Sequence, residues 1–174
     1  MASIIKVDTI QTAAGGTPTA ADLGINTTGT VLQVVNHKWN DSEAFTSASS
    51  WTDSTGSQFT FTPKSSNSNL LLIANVQLQV ADTSGTQAGG AYRFNIDGTA
   101  IDNPTDEFEH YDSHQGTEIN FYWRSSKHAY VSNTSTSAKT IKLQAQMYDG
   151  NQTRIRFNTS GAYYSYITVW EIAG

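Results

Sequence analysis

Residues 69–80 read Asn-Leu-Leu-Leu-Ile-Ala-Asn-Val-Gln-Leu-Gln-Val. Every even position from 70 to 80 is apolar, whereas Asn75, Gln77 and Gln79 lie at odd positions between them. A period of two places these two sets of side chains on opposite faces of an extended strand. The stretch therefore predicts a β-strand that turns one face toward a hydrophobic core.

The same alternation recurs along the chain. It is present in Phe59 and Phe61, in Tyr92, Phe94 and Ile96, and in Ile141, Leu143, Ala145 and Met147. Asp97-Gly98 and Asp149-Gly150 follow two of these segments and are typical hairpin turns. We predict further strands at residues 30–39, 45–51, 118–131, 154–158 and 164–172, about eight to ten in all. Long connections at residues 81–90 and 97–116 favour an all-β, jelly-roll-like β-sandwich of antiparallel strands.

The last predicted strand is apolar on both faces. Tyr166, Trp170 and Ile172 share one face, and Ile167 and Val169 share the other. Only 14% of the residues are charged, so few groups are available to keep the surface of a monomer hydrated. The pattern predicts that another copy covers one of these faces, and we expect a homotrimer.

Composition narrows the classes of function. The chain of 174 residues has no cysteine, which excludes disulfides, thiolate metal sites and thiol nucleophiles. Its formal charge is −5 and its ten Lys and Arg are scattered, so nucleic acid is not expected as a partner. No apolar run reaches the ~20 residues of a membrane span, and no membrane insertion is expected. The first residues lack the pattern of a secretory signal, which predicts synthesis in the cytoplasm.

The first 29 residues differ from the rest. Ile4, Ile5, Val7 and Ile10 form one short apolar segment, and a connector rich in Gly, Ala and Thr follows it. Such a short segment cannot bury its own apolar face. We therefore predict an extended N-terminal attachment arm and connector at residues 1–29, a β-sandwich head at residues 30–174, and a role of the four apolar residues in self-assembly or attachment.

Several strings taken together resemble one group of proteins. They are SIIKVDTIQ at residues 3–11, GTVLQVV at 29–35, FTFTPKSS at 59–66, RFNIDGT at 93–99 and VWEIAG at 169–174. In this order they resemble tail-fibre-like and other virion structural proteins of phages that infect marine and cyanobacterial hosts. The sequence departs from that pattern at Asn69, where a Lys usually opens the strand, and at Ser132-Asn133-Thr134, which replaces an Asp-Ser-Pro-type turn.

That resemblance implies a trimer on the outside of a phage particle, and it leaves the tail and the capsid open. The chain is thus expected to be a trimeric surface appendage, either tail-fibre-like or a knob, with a role in host adhesion. A capsid decoration or cement protein is the alternative, because the connector is short for a fibre. A stand-alone carbohydrate-binding module is a third hypothesis. The expected partners are further copies, other virion proteins and host-surface glycans, at the surface of the virion.

One stretch, residues 102–118, is rich in groups that can carry chemistry. Its carboxylates could supply oxygen ligands to a hard cation, but their spacing fits no calcium-loop pattern. We interpret it instead as a long recognition loop. Its candidate contact residues are Asp106, Phe108, His110, Tyr111 and His114.

Catalytic patterns are weaker. No Gly-x-Ser-x-Gly elbow, phosphate-binding glycine loop or His-Glu-x-x-His pattern occurs. Glu107 and Glu109 could serve glycoside hydrolysis only if a cleft brought their carboxylates together. The four Trp and eight Tyr are normal residues of strands and subunit interfaces. We therefore expect a non-enzymatic protein with no catalytic residues, no metal and no cofactor.

Overall fold

A computed structural model describes residues 15–16, 28–82, 87–101, 110–113, 119–148 and 154–174. These residues contain no helix and form two antiparallel sheets that pack together, which confirms the all-β prediction. The strands are β1 Val31–Trp39, β2 Glu43–Phe45, β3 Thr52–Asp53, β4 Phe59–Phe61, β5 Ser68–Asp82, β6 Gln87–Ile96, β7 Thr99–Ile101, β8 His110–Ser113, β9 Ile119–Asn133, β10 Lys139–Met147, β11 Arg154–Phe157 and β12 Ser165–Ala173. Within this part of the chain, no helical segment is long and apolar enough to cross a membrane.

The first sheet, sheet A, is built around β5. All 15 residues of β5 pair with β9 on one side. On the other side β12 pairs with residues 68–75 and β11 with residues 78–81, so these two strands lie end to end. β1 continues the sheet beside β12, and β2 continues it beside β11. The alternating stretch at residues 69–80 therefore forms the axis of sheet A.

The second sheet, sheet B, is built around β10 and β6, which pair from Ile141 with Ile96 to Met147 with Gly90. β3 and β4 pair with the other side of β10. β7 and β8 pair with the other side of β6. Sheet B thus covers the inner face of sheet A with strands drawn from both halves of the chain.

The core lies between the two sheets and contains the predicted apolar positions. They are Leu70, Leu72, Ala74, Val76, Leu78 and Val80 on β5, Tyr92, Phe94 and Ile96 on β6, and Ile141, Leu143, Ala145 and Met147 on β10, all of them buried. Burial of each large side chain stabilises the fold by about 1.5–3 kcal/mol relative to exposure. The predicted burial of the apolar positions is therefore confirmed in these three strands.

The chain passes repeatedly from one sheet to the other. It moves from sheet A to sheet B between β2 and β3, and it returns between β4 and β5. It crosses again after β5, β8, β9 and β10. Each sheet is thus assembled from strands that are distant in sequence, which is typical of a jelly-roll-like sandwich and agrees with the predicted fold class.

Two tight backbone positions depend on specific residues. Asp97 and Gly98 have φ angles of 51° and 87°, and Ile96 pairs with Thr99 across them. Two successive positive φ angles define a type I′ hairpin turn, so the predicted turn is confirmed. At Gly90, an added Cβ would lie 2.8 Å from Cδ1 of Ile155 and 3.1 Å from the backbone oxygen of Gln146.

The prediction of a strand at residues 45–51 is wrong. β2 ends at Phe45, and β3 begins only at Thr52. In between, the Ser50 amide donates to Oγ of Ser47 at 3.1 Å, and the two hydroxyl oxygens lie 2.8 Å apart. Such local side-chain hydrogen bonds favour a turn over a sheet ladder.

The described residues hold twelve strands rather than eight to ten, because short strands such as β2, β3, β7 and β8 carry no long alternation.

The arm and head prediction is only partly within the described residues. The amide of Gly29 donates to the Ala173 oxygen at 2.8 Å, and the Ala173 amide donates to the Thr30 oxygen at 2.8 Å. Thr28 also donates from its hydroxyl to the Gly174 oxygen at 3.3 Å. Residues 28–30 are therefore joined to the end of β12, whereas most of the predicted arm lies outside the described residues.

Candidate functional site

The outer face of sheet A carries a row of apolar side chains. Val34, Trp170, Leu71 and Tyr130 are paired in register across β1, β12, β5 and β9. Val34 is 49% exposed, Trp170 37% and Tyr130 61%. Val31, which is 44% exposed, extends this apolar row next to Ile172. A contiguous apolar surface four strands wide is typical of a site of protein association.

The face of β12 that was expected to be covered is only partly covered within one chain. Ile167 and Val169 are fully buried in the core, as their alternation indicated. Tyr166 and Ile172 on the other face are half-buried, and Trp170 is exposed. The uncovered part of β12 is thus the part that lies in the apolar row.

The outer face of sheet B has a different character. Lys142 forms an ion pair with Asp53, and Gln144 donates to the same carboxylate at 2.8 Å. Arg93 donates from Nε to Gln144 at 2.8 Å, and its guanidinium lies 4.3 Å from the centre of the Trp51 ring. These polar groups satisfy one another on the surface. Sheet A is therefore the better candidate for an apolar interface.

A groove of about 550 Å³ lies at the opposite end of the outer face of sheet A. It is lined by Gln77, Tyr122, Trp123, Arg124, Thr159 and Tyr163. β5 and β9 supply the first four residues, and the connection between β11 and β12 supplies the other two. Tyr122 and Tyr163 are 59% and 48% exposed, so their rings are accessible in the groove.

Hydrogen bonds hold the walls of the groove in place. Gln79 donates from Nε2 to the Tyr122 hydroxyl at 3.0 Å, and the Thr159 amide donates to Oε1 of Gln77 at 2.8 Å. Arg124 donates from Nη1 to the Tyr164 backbone oxygen at 3.1 Å, which joins β9 to the β11–β12 connection. The groove is therefore a preorganised feature of the sandwich.

Cationic side chains surround the groove. Arg156 on β11 pairs with Gln79 on β5, and Gln79 pairs with Tyr122 on β9. Arg154 lies two residues from Arg156 on the same face of β11. The Nε atoms of both arginines are buried without a hydrogen-bond partner, as is Oε1 of Gln79. Lys38 lies 3.5 Å from the centre of the Tyr164 ring. Among the described residues, the outer face of sheet A carries these cations and no carboxylate.

Glu171 is a fully buried carboxylate at the end of the sandwich near Gly174. It accepts hydrogen bonds from the amides of Lys64 at 2.8 Å and Ser65 at 2.9 Å. The Gln33 amide group and the Ser68 hydroxyl donate to it at 2.6 and 2.9 Å. Burial alone would raise the pKa of Glu171, but these hydrogen bonds outweigh it and hold the pKa below its ordinary value of 4.5. Its role is to fix the β4–β5 connection.

Glu43 fixes the β3–β4 connection in a similar way. One of its oxygens accepts from the amides of Thr55 and Gly56 at 2.7 and 2.9 Å, and the other accepts from the Ser54 hydroxyl. The Ser54 amide in turn donates to the Leu143 oxygen at 2.9 Å on sheet B. Glu43 thus joins β2 of sheet A to the β3–β4 connection of sheet B, and Glu171 joins β12 to the β4–β5 connection, so both have a structural role.

The attachment residues predicted from sequence, Ile4, Ile5, Val7 and Ile10, lie outside the described residues. The same holds for Asp106, Phe108 and His114 of the predicted recognition loop. His110 and Tyr111 belong to β8 and pair with Gly90 and Gly89 of β6. Residues 102–118 are therefore not one continuous loop. β8 could not be predicted from the sequence, because its four residues, His-Tyr-Asp-Ser, show no apolar alternation.

The sequence patterns do not predict the groove residues as one site. Tyr122 and Arg124 alternate along β9 and could have been assigned to its solvent face. Their proximity to Thr159 and Tyr163 depends on how β11 and β12 pair with β5, which no local pattern reveals. Among the described residues, no three His, Asp or Glu side chains are grouped so that they could hold a metal ion.

The described residues thus form a β-sandwich that carries an apolar row on the outer face of sheet A. No protein-family model matches the chain, and no curated protein matches it. Among solved structures, the dimeric latent form of PorU from Porphyromonas gingivalis is similar with a TM-score of 0.37 and 10% identity. That similarity covers 81% of this chain and 13% of the PorU chain. A likeness at this level carries no argument about function.

Proposed function

We propose that the chain is a non-enzymatic, self-associating structural subunit of a phage particle, and that it forms a homotrimer with the β-sandwich head exposed. The observation that supports self-association is the apolar row of Val34, Trp170, Leu71 and Tyr130 on the outer face of sheet A. Apolar area of this kind is stabilised when another subunit removes it from water. The sequence resemblance supports the virion setting.

Light scattering of the purified chain tests this association. We expect a mass three times the 18.9 kDa of one chain at micromolar concentration. Trp170→Lys places a charge in the apolar row and should give a folded monomer, because Trp170 points away from the core. Tyr164→Lys is the matched control, since Tyr164 is also 37% exposed but lies near the groove. A monomeric wild-type chain, or a trimeric Trp170→Lys variant, would contradict the proposed assembly.

Electron microscopy of purified particles, with antibodies against the head, tests the virion setting. Label on the tail supports a tail-fibre-like appendage, and label on the capsid supports the alternative of a decoration or cement protein. Particles that carry no label would overturn the virion assignment while leaving the association result intact.

A further inference from the structure

We propose that the groove on sheet A binds an acidic saccharide, that is, a glycan that carries carboxylate or sulfate groups. The groove is lined in part by Tyr122, Arg124 and Tyr163, and Arg156 lies beside it. This inference goes beyond the proposed self-association, because it assigns a ligand to a different part of the surface and does not require a trimer.

The shape and lining of the groove favour a sugar. Its volume of about 550 Å³ lies within the range of small-ligand sites. The exposed rings of Tyr122 and Tyr163 present flat apolar faces, against which the C–H faces of a sugar ring can pack. The amide of Gln77 and the hydroxyl of Thr159 lie beside these rings and can exchange hydrogen bonds with sugar hydroxyls.

The charge around the groove favours an acidic ligand. Arg124, Arg154, Arg156 and Lys38 lie on this end of a protein whose formal charge is −5. Among the described residues, the Nε atoms of Arg154 and Arg156 are buried and have no hydrogen-bond partner. A buried donor without a partner destabilises the fold. A bound sulfate or carboxylate can accept charge-assisted hydrogen bonds from these guanidinium groups, which favours an acidic ligand.

The groove and the apolar row are far enough apart to act separately. Leu71 lies in the apolar row and Gln77 lies in the groove, six positions apart on β5. At about 3.3 Å per residue this is about 20 Å. Asn75 and Ser126 are exposed polar residues that pair with each other between the two sites. A subunit covering the apolar row can thus leave the groove open.

Calorimetric titration of the full chain tests the proposal. The probe is a heparin-derived hexasaccharide, and cellohexaose is the neutral control. We expect the acidic probe to bind and the neutral one to bind at least about tenfold more weakly. Arg124→Gln and Tyr163→Ser should each weaken binding of the acidic probe by about tenfold or more. Lys64→Gln, which removes one exposed charge from the far end of the sandwich, should leave the affinity unchanged.

Arg156→Gln separates a ligand contact from a structural role. We expect it to weaken binding of the hexasaccharide while the Tm stays the same or rises, because it removes an unpaired buried donor. A lower Tm with unchanged affinity would assign Arg156 to the fold and overturn its role in the site.

Three results would overturn the proposal as a whole. They are no binding of the hexasaccharide, equal binding of cellohexaose, and full displacement by an equal concentration of inorganic sulfate, which would indicate a site for simple anions. Light scattering of the same samples reports the oligomeric state independently, so failure of the ligand site and failure of self-association are distinguished.

Discussion

At the scale of single residues, Glu171 shows how this fold accommodates a buried charge. The four residues that donate to its carboxylate do so through neutral groups, namely two backbone amides, one side-chain amide and one hydroxyl. Such donors satisfy the lone pairs of a carboxylate without requiring a second buried ion. The charge thereby ties β12 to the connection between β4 and β5.

Replacement of this carboxylate should therefore destabilise the sandwich. Glu171→Gln exchanges an acceptor for an NH₂ donor that faces other donors, and we expect a loss of about 3 kcal/mol in the free energy of unfolding. Urea denaturation monitored by tryptophan fluorescence measures it. Asp53→Asn is the control on the surface, where breaking the ion pair with Lys142 should cost less than about 1 kcal/mol. Equal losses in both variants would show that burial of Glu171 is irrelevant.

The same residue predicts how stability depends on pH. The pKa of Glu171 is lower in the folded state than its ordinary value of 4.5, so the folded state favours the ionised form. Its contribution is fully present above about pH 5 and is lost as the pH falls through the folded-state pKa. The difference in unfolding free energy between wild type and Glu171→Gln should be constant from pH 7 to about pH 5 and shrink below it. A difference that grows on acidification would contradict this assignment.

Residue patterns in the sequence indicate which side chains enter the core but not these polar contacts. Alternation in β5 and β12 correctly places Leu72, Ile167 and Val169 inside. It also places Glu171 on the buried face, yet the donors to Glu171 come from positions 33, 64, 65 and 68. Only the folded sheet brings these distant positions together. The groove could not be predicted either, because its residues come from distant positions on β5, β9 and the β11–β12 connection.

At the scale of elements, β6 packs closely against β10 and β11 at Gly90. An added Cβ would lie 2.8 Å from Cδ1 of Ile155 and 3.1 Å from the Gln146 oxygen. Because Ile155 is fully buried and the Gln146 oxygen is backbone, neither can move freely. We expect Gly90→Ala to lower the free energy of unfolding by about 1–3 kcal/mol.

Chemical denaturation of Gly90→Ala measures this loss. Gly161→Ala is the matched control, because its added Cβ would lie 3.7 Å from Nδ2 of Asn40, an ordinary contact. We expect a change within about 0.5 kcal/mol for the control. A Gly90→Ala variant as stable as wild type would show that the two sheets can separate at this point without cost.

Long elements were predictable and short ones were not. β5 and β10 contain enough residues for a period of two to be recognised, and both were found near their observed bounds. β3 has two residues and β7 has three, so no period can be read in them. Their strand conformation results from pairing with β10 and β6, which supply the hydrogen-bond partners. Tertiary pairing, not local propensity, creates these elements.

At the scale of the whole molecule, residues 28–30 are joined to the end of β12. The amide of Gly29 and the oxygen of Thr30 both bond to Ala173. We therefore expect deletion of residues 1–27 to leave a head with unchanged cooperative unfolding. Deletion of residues 1–30 should lower stability by about 1–3 kcal/mol, because two backbone hydrogen bonds are lost.

Thermal unfolding followed by circular dichroism compares the two truncated chains. Loss of cooperative unfolding on deletion of residues 1–27 would show that the head needs the N-terminal residues. Incorporation of the same truncated chain into particles tests the proposed attachment role of Ile4, Ile5, Val7 and Ile10, which predicts a folded head that no longer joins the particle.

The position of β12 in the sheet determines when the apolar row can form during synthesis. β12 lies between β1 and β5, although it follows both of them along the chain. Val34 and Leu71 emerge from the ribosome first, and they become neighbours of one continuous surface only when Trp170 is inserted between them. A nascent or truncated chain that lacks β12 cannot display the apolar row. In the assembly proposed above, incomplete chains would therefore lack the contact surface.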